Sequence, residues 1–159
     1  SFYPMLGRVP SEAQVMQMVS RHLTNASEFC VNASDAYRTR DGDSSSGGAC
    51  PFAIPVVPRS SPYFYDNSYW RGRTWGPVNL LTWLALAEPA YRDLAPVRAA
   101  RRGLCVQSNR LLMREWRSHR RVHENYNSTT GQGGDVRNSN PYYHWGALLG
   151  YIGMREEML

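Results

Sequence analysis

Tyr69-Trp70-Arg71-Gly72-Arg73-Thr74-Trp75-Gly76-Pro77-Val78-Asn79, followed at once by Leu80-Leu81-Thr82-Trp83-Leu84-Ala85-Leu86, is the stretch around which the chain is organised. Pro77 suits the first turn of a helix, where its missing N–H would have no partner. The run after it has almost no polar face, so a helix from Pro77 to about Ala87 is expected to lie buried between other elements. Ahead of it stand two tryptophans five residues apart, with two arginines and two glycines. A lone tryptophan is ordinarily a core residue. Rings beside Arg71, Asn79 and turn-forming glycines instead compose a surface suited to stacking on a flat or ring-shaped polar ligand. The rings supply area, and Arg71 and Asn79 supply directed hydrogen bonds.

Downstream, a longer helix is expected from about Tyr91 to Arg117, with Leu94, Val97, Leu104, Leu111 and Leu112 on its buried side and Arg98, Arg101 and Arg102 on its solvated side. Asn140 and Pro141 offer an N-cap and a first-turn proline for a last helix, Tyr142 to about Met154. Upstream, Ser11 and Gln14 have the spacing of a capping box. Val15, Met18, Val19 and Leu23 then mark one buried stripe of a helix to about Leu23. Thr24 to Tyr69 has no sustained period; Asp41 to Gly48 reads as a flexible loop tip. Pro51, Pro55, Pro58 and Pro62 keep the following segment extended, with Pro51 to Arg59 expected along the rim of a pocket. The expected fold class is therefore all-α: four helices in pairs, joined by long loops.

The 159 residues suffice for one compact domain or a piece of a larger one, and 42% hydrophobic and 12% aromatic content argues against a disordered chain. All 18 basic residues are arginine, and the net charge is +5. An absence of lysine reads as coding bias. Although Arg117, Arg120 and Arg121 cluster, no nucleic-acid module accompanies them, so no nucleic-acid partner is expected. No apolar run reaches the roughly 18 residues of a membrane span. The three cysteines, Cys30, Cys50 and Cys105, lack metal-site spacing, and one bridge between Cys30 and Cys50 could close the intervening loop. Sequons at Asn25, Asn32 and Asn127 fit a secretory-pathway protein but also arise by chance, which leaves the compartment open.

Among the acids, Glu124 stands out in His123-Glu124-Asn125-Tyr126-Asn127, because His, Asn and Tyr orient carboxylates and bind hydroxyls. The glycines that follow, Gly131, Gly133 and Gly134, let backbone approach a ligand. The Gly131-Gln132-Gly133-Gly134 loop lacks the Lys-Ser/Thr of a phosphate cradle. His22, His119, His123 and His144 have no metal-site spacing, so neither metal nor cofactor is expected. Asp66, Asp93 and Asp135 are available, but nothing singles one out as a partner for Glu124.

Two separated motifs agree with one family. Tyr69-Trp70-Arg71-Gly72-x-x-Trp75 to Asn79 resembles the YWRGxxW segment of glycoside hydrolase family 63, which includes processing α-glucosidases and is distantly related to the trehalases. His123 to Asn127, Thr130 to Gly133 and Asn140 to Trp145 are similar to its glutamate motif, glycine-rich loop and following helix. The resemblance extends to the lead-in and to Glu28-Phe29, with an unusual insertion at about 35–48. It implies an (α/α)6 toroid, of which residues 1–159 would form the C-terminal helical hairpins, about half a barrel, as a single partial domain. It also implies inverting hydrolysis of an α-glucosidic bond in a glucose-containing oligosaccharide or small glucoside. Glu124 matches the general base, and Trp70, Arg71, Trp75 and Trp145 match positions lining the sugar site; Tyr69, Asn79 and Tyr126 complete the expected substrate-binding set. The family's general-acid aspartate, in an ESGWD-type segment, has no counterpart in this sequence. The chain alone is thus expected to be inactive, and its uncovered inner helices are expected to drive self-association or to await a missing N-terminal half. A noncatalytic carbohydrate-binding or protein-interaction module is the alternative.

Overall fold

The computed structural model describes residues 1–33 and 50–159. The insertion expected at 35–48 lies outside the described residues. A 3-10 turn, Tyr3–Gly7, leads into α1, Glu12–Met18. The capping box forms: Gln14 N donates to Ser11 Oγ and Ser11 N donates to Gln14 Oε1. The buried stripe continues past Met18, but the backbone widens into a π turn, Val19–Leu23. Thr24 stabilises that turn, because both its N–H and its hydroxyl donate to the Val19 carbonyl. Val15, Val19 and Leu23 are all buried, so the widened turn keeps the apolar face inward.

Cys30 and Cys50 are joined by a disulfide. Closing a loop of 20 positions in this way contributes about 3 kcal/mol through the entropy of the unfolded chain. Gln107 anchors the base of the loop by donating to the carbonyls of Cys30, Cys50 and Phe52. Phe52, Ala53, Ile54 and Pro55 are buried. Residues 52–55 of the segment expected along a pocket rim therefore enter the core, because Asn79 pairs with both the N–H and the C=O of Ile54, while Pro51 and 56–59 stay partly exposed.

Helix α2 spans Gly76–Leu86, α3 spans Ala95–His119 and α4 spans His144–Glu156. Helix α3 starts later than its apolar pattern suggests because Pro96 occupies its first turn and Glu88–Leu94 is taken up by turns. Helix α4 begins at His144, not Tyr142: Tyr142 has a left-handed φ of 62°, and Pro141 instead bridges to His123. Helix α4 packs on both α2 and α3. Trp83, Leu86, Val97, Leu104, Leu111, Leu149 and Ile152 form the shared core.

Arg101 departs from expectation. It is buried, its Nε donates to both Glu156 oxygens, and Trp83 Nε1 donates to Glu156 Oε2 at 2.8 Å. One residue from each of α2, α3 and α4 thus meets in a satisfied polar knot inside the apolar core. A hydrophobic-stripe reading assigns arginine to the outside and cannot see that Glu156 waits across the bundle.

The molecule is mainly helical, but the all-α expectation omitted two strands. Strand β1, Arg73–Trp75, pairs antiparallel with β2, Asn125–Asn127, in the register Arg73↔Asn127, Thr74↔Tyr126 and Trp75↔Asn125. Three-residue strands carry too few alternations to register as a period. They nonetheless join the two halves of the chain that carry the motifs.

Candidate functional site

The β1/β2 pairing brings the aromatic motif to Glu124. Ser68 and Arg71 exchange backbone hydrogen bonds of 2.9 and 2.8 Å, closing a tight turn with Tyr69 and Trp70 at its tip. Tyr69 adopts a left-handed φ of 45°, and Gly72 a φ of 76°. A Cβ on Gly72 would lie 1.8 Å from the Phe64 carbonyl oxygen, so only glycine lets the chain leave this turn.

Trp70 stacks on Trp75 with centroids 3.9 Å apart and planes 8° from parallel. Trp75 is fully buried and its Nε1 donates to the Tyr69 carbonyl, whereas Trp70 is 45% exposed. Tyr69 meets Trp75 edge-on, and Trp145 and Tyr143 extend the cluster. The Tyr69 hydroxyl donates to Glu124 Oε1 at 3.3 Å. The Tyr69 phenol is raised above its ordinary pKa by partial burial first and then by the charge of, and hydrogen bond to, Glu124. It therefore remains a donor at neutral pH. Glu124 is 6% exposed, and its backbone N–H donates to Asn140 O. The carboxylate is held at the end of a half-exposed aromatic stack.

The remaining expected site residues occupy other roles. Arg71 is exposed and pairs with Asp66 at 3.2 Å. Asn79 is fully buried, with its amide spent on Ile54 and on the Trp75 carbonyl, so it orients the backbone beneath the stack. Tyr126 is also fully buried; its hydroxyl accepts from His123 N, and burial pushes its pKa up to about 12. It holds the turn that presents Glu124.

Sequence reasoning passed over a second group. Arg73 is fully buried; its Nε donates to Asn125 Oδ1, its Nη1 to Asn67 Oδ1 and its Nη2 to Asp135 Oδ1. Asn67 and Asn127 also donate to Asp135 Oδ2. Burial alone would raise the Asp135 pKa, but hydrogen bonds from Arg73, Asn127 and Asn67, with the Arg73 charge, hold it below the usual value. This network ties the glycine-rich loop to both strands. The available signal was the position of Arg73, two before Trp75 and so on the same strand face. Among the described residues, no group of three or more His, Cys, Asp or Glu side chains is arranged to hold a metal.

A mainly helical domain that presents a carboxylate beside stacked tryptophans has the character of a carbohydrate-processing module, the class that comparison with family models identifies. The mannosylglycerate hydrolase MGH1-like glycoside hydrolase domain matches residues 1–146, and the chain belongs to that family. Neither the curated proteins nor the solved structures contain a match.

Proposed function

We propose that this chain is the base-bearing part of an inverting α-glucosidase-like enzyme built on an (α/α)6 toroid. Glu124 takes the role of general base, and the exposed face of Trp70, with Tyr69 and Trp145, holds the sugar ring. The observation that carries this reading is the Tyr69–Glu124 hydrogen bond at the edge of the Trp70–Trp75 stack. A pyranose has an apolar C–H face that a tryptophan covers and a rim of hydroxyls that a carboxylate and a phenol bind. In inversion the base activates a water on the face opposite the leaving group, with the acid about 6.5–9.5 Å away. That acid is assigned to no residue of this sequence. Arg71, Asn79 and Tyr126 support the site by shaping the Ser68–Arg71 turn, the backbone beneath the stack and the turn that presents Glu124.

The family description names a mannosylglycerate hydrolase. The substrate test therefore compares α-glucosides with mannosylglycerate in the intact enzyme. Glu124→Gln should lower turnover there by several orders of magnitude while leaving sugar affinity within a few fold, since a base acts in the transition state. Unchanged turnover would remove Glu124 from the chemistry. A noncatalytic carbohydrate-binding module is the second reading, favoured by a group in which rings outnumber carboxylates. It requires sugar binding without turnover in the unaltered intact protein.

The same reading leaves the α3–α4 surface to be covered. Met113, Trp116, Tyr151 and Met154 are all exposed there. We expect concentration-dependent self-association of this chain in sedimentation experiments, and a monodisperse monomer would count against the partial toroid.

A further inference from the structure

A cleft of about 300 Å³ is lined by polar residues, including Glu115, His119, Arg121, His123 and Asp135. Glu115 lies just before the last turn of α3, near the end where the helix dipole disfavours negative charge, and its side chain is only 2% exposed. Such a carboxylate needs donors. Its Oε1 lies 3.1 Å from Nδ1 of His119 and 3.1 Å from Nδ1 of His123. Yet neither Glu115 Oε1 nor His123 Nδ1 makes an aligned hydrogen bond. Two buried polar atoms are therefore close but not aligned, a costly arrangement that a small ring rotation would relieve.

The His123 ring is confined on another side by Gly133, where a Cβ would come within 2.3 Å of it. Its backbone is tied into the functional site: its N–H donates to Tyr126 Oη, it bridges Pro141, and the next residue is Glu124. The groups that act on the His123 charge are Glu115 and His119 from α3, Arg121 from the connection after it, and Arg73 from β1, while Tyr126 meets the ring edge-on and Asp135 lines the same cleft. Of the four that act on its charge, Glu115 alone favours the imidazolium.

We propose that Glu115 is a positioning residue for Glu124, acting through His123, and that protonation of His123 tightens this link and shifts the Glu124–Tyr126 segment. The mechanism is local. The Nδ1–H tautomer of the neutral ring can already offer a donor to Glu115, and a second proton, on Nε2, adds the charge that makes the bond charge-assisted. Loss of the proton from Nε2 returns the pair to a weaker, neutral-donor contact. Burial first, then His119, Arg121 and Arg73, lower the His123 pKa against the opposing pull of Glu115, so the link tightens only on the acid side of neutrality. The consequence for catalysis rests on Glu124 being the base; the coupling does not.

Heteronuclear NMR pH titration of this chain tests the coupling without substrate. The amide resonances of Glu124, Asn125 and Tyr126 should move with the midpoint of the His123 imidazole. His119→Gln removes the half-exposed ring that opposes the His123 charge and should raise that midpoint. Glu115→Gln should lower it, and the amide resonances should follow in both variants. Amides that stay fixed while His123 titrates in the unaltered chain overturn the proposal, and that measurement needs no variant to fold. A midpoint unmoved by Glu115→Gln also overturns it. In the intact enzyme, Glu115→Gln should shift the alkaline limb of kcat to lower pH with KM unchanged. A coupled NMR titration together with an unshifted kcat profile would sink the catalytic consequence and, with it, the positioning role.

Discussion

The Tyr69 hydroxyl donates to Glu124 Oε1 across 3.3 Å of space and 55 positions of chain. The two residues meet because Trp75 pairs with Asn125 in the β1/β2 register. A strand pair of three residues each thus determines whether the aromatic motif and the acidic motif form one site.

That contact predicts a titration. Glu124 disfavours the Tyr69 phenolate both as a nearby negative charge and as the acceptor of its proton. Glu124→Gln removes the charge, so the Tyr69 midpoint should fall toward the ordinary tyrosine value. Phenolate absorbance through an alkaline titration, with Tyr69→Phe as the reference, checks this. An unmoved midpoint would mean that the bond does not persist in solution.

Gly72 predicts a stability loss. Alanine there would meet the Phe64 carbonyl oxygen at 1.8 Å with φ at 76°. Strain and overpacking together should cost about 2–4 kcal/mol. Chemical denaturation should show that loss. Ring-current shifts of the Trp70–Trp75 stack should also change, because the turn that places Trp70 can no longer close. Full stability in Gly72→Ala would contradict the tightness of the turn.

Arg73 predicts both a stability loss and a pH dependence. Replacing it with methionine keeps much of its bulk but strips donors from Asn125, Asn67 and Asp135. The loss should be about 3 kcal/mol, near the lower end for a broken buried pair, since water can reach the partly exposed Asp135. Asp135 is depressed below its unfolded pKa of 3.8. Its contribution is therefore fully present above that value and is lost as pH falls through the folded pKa. Arg73→Met relaxes the depression. Urea titrations at a series of acid pH values should accordingly show a shallower decline for the variant than for the unaltered chain.

Much of the framework was legible in the residues. Ser11 and Gln14 announced their capping box, Pro77 the start of α2, and the YWRGxxW and HENYN segments the glycoside hydrolase relationship that the family match supports. These are local signals, carried by neighbouring residues and by spacings that one helical turn or one motif enforces.

What escaped the sequence was long-range. Arg101 looked solvated because Glu156 lies 55 positions away, and Arg73 drew no notice because its acceptors come from three separate segments. Asn79 and Tyr126 had residue types suited to a sugar, yet both are turned inward onto backbone groups. Residue type states which hydrogen bonds a side chain can make. Tertiary packing chose the partners, since a buried polar group must bond whatever the fold brings within reach, and only the fold knows what that is.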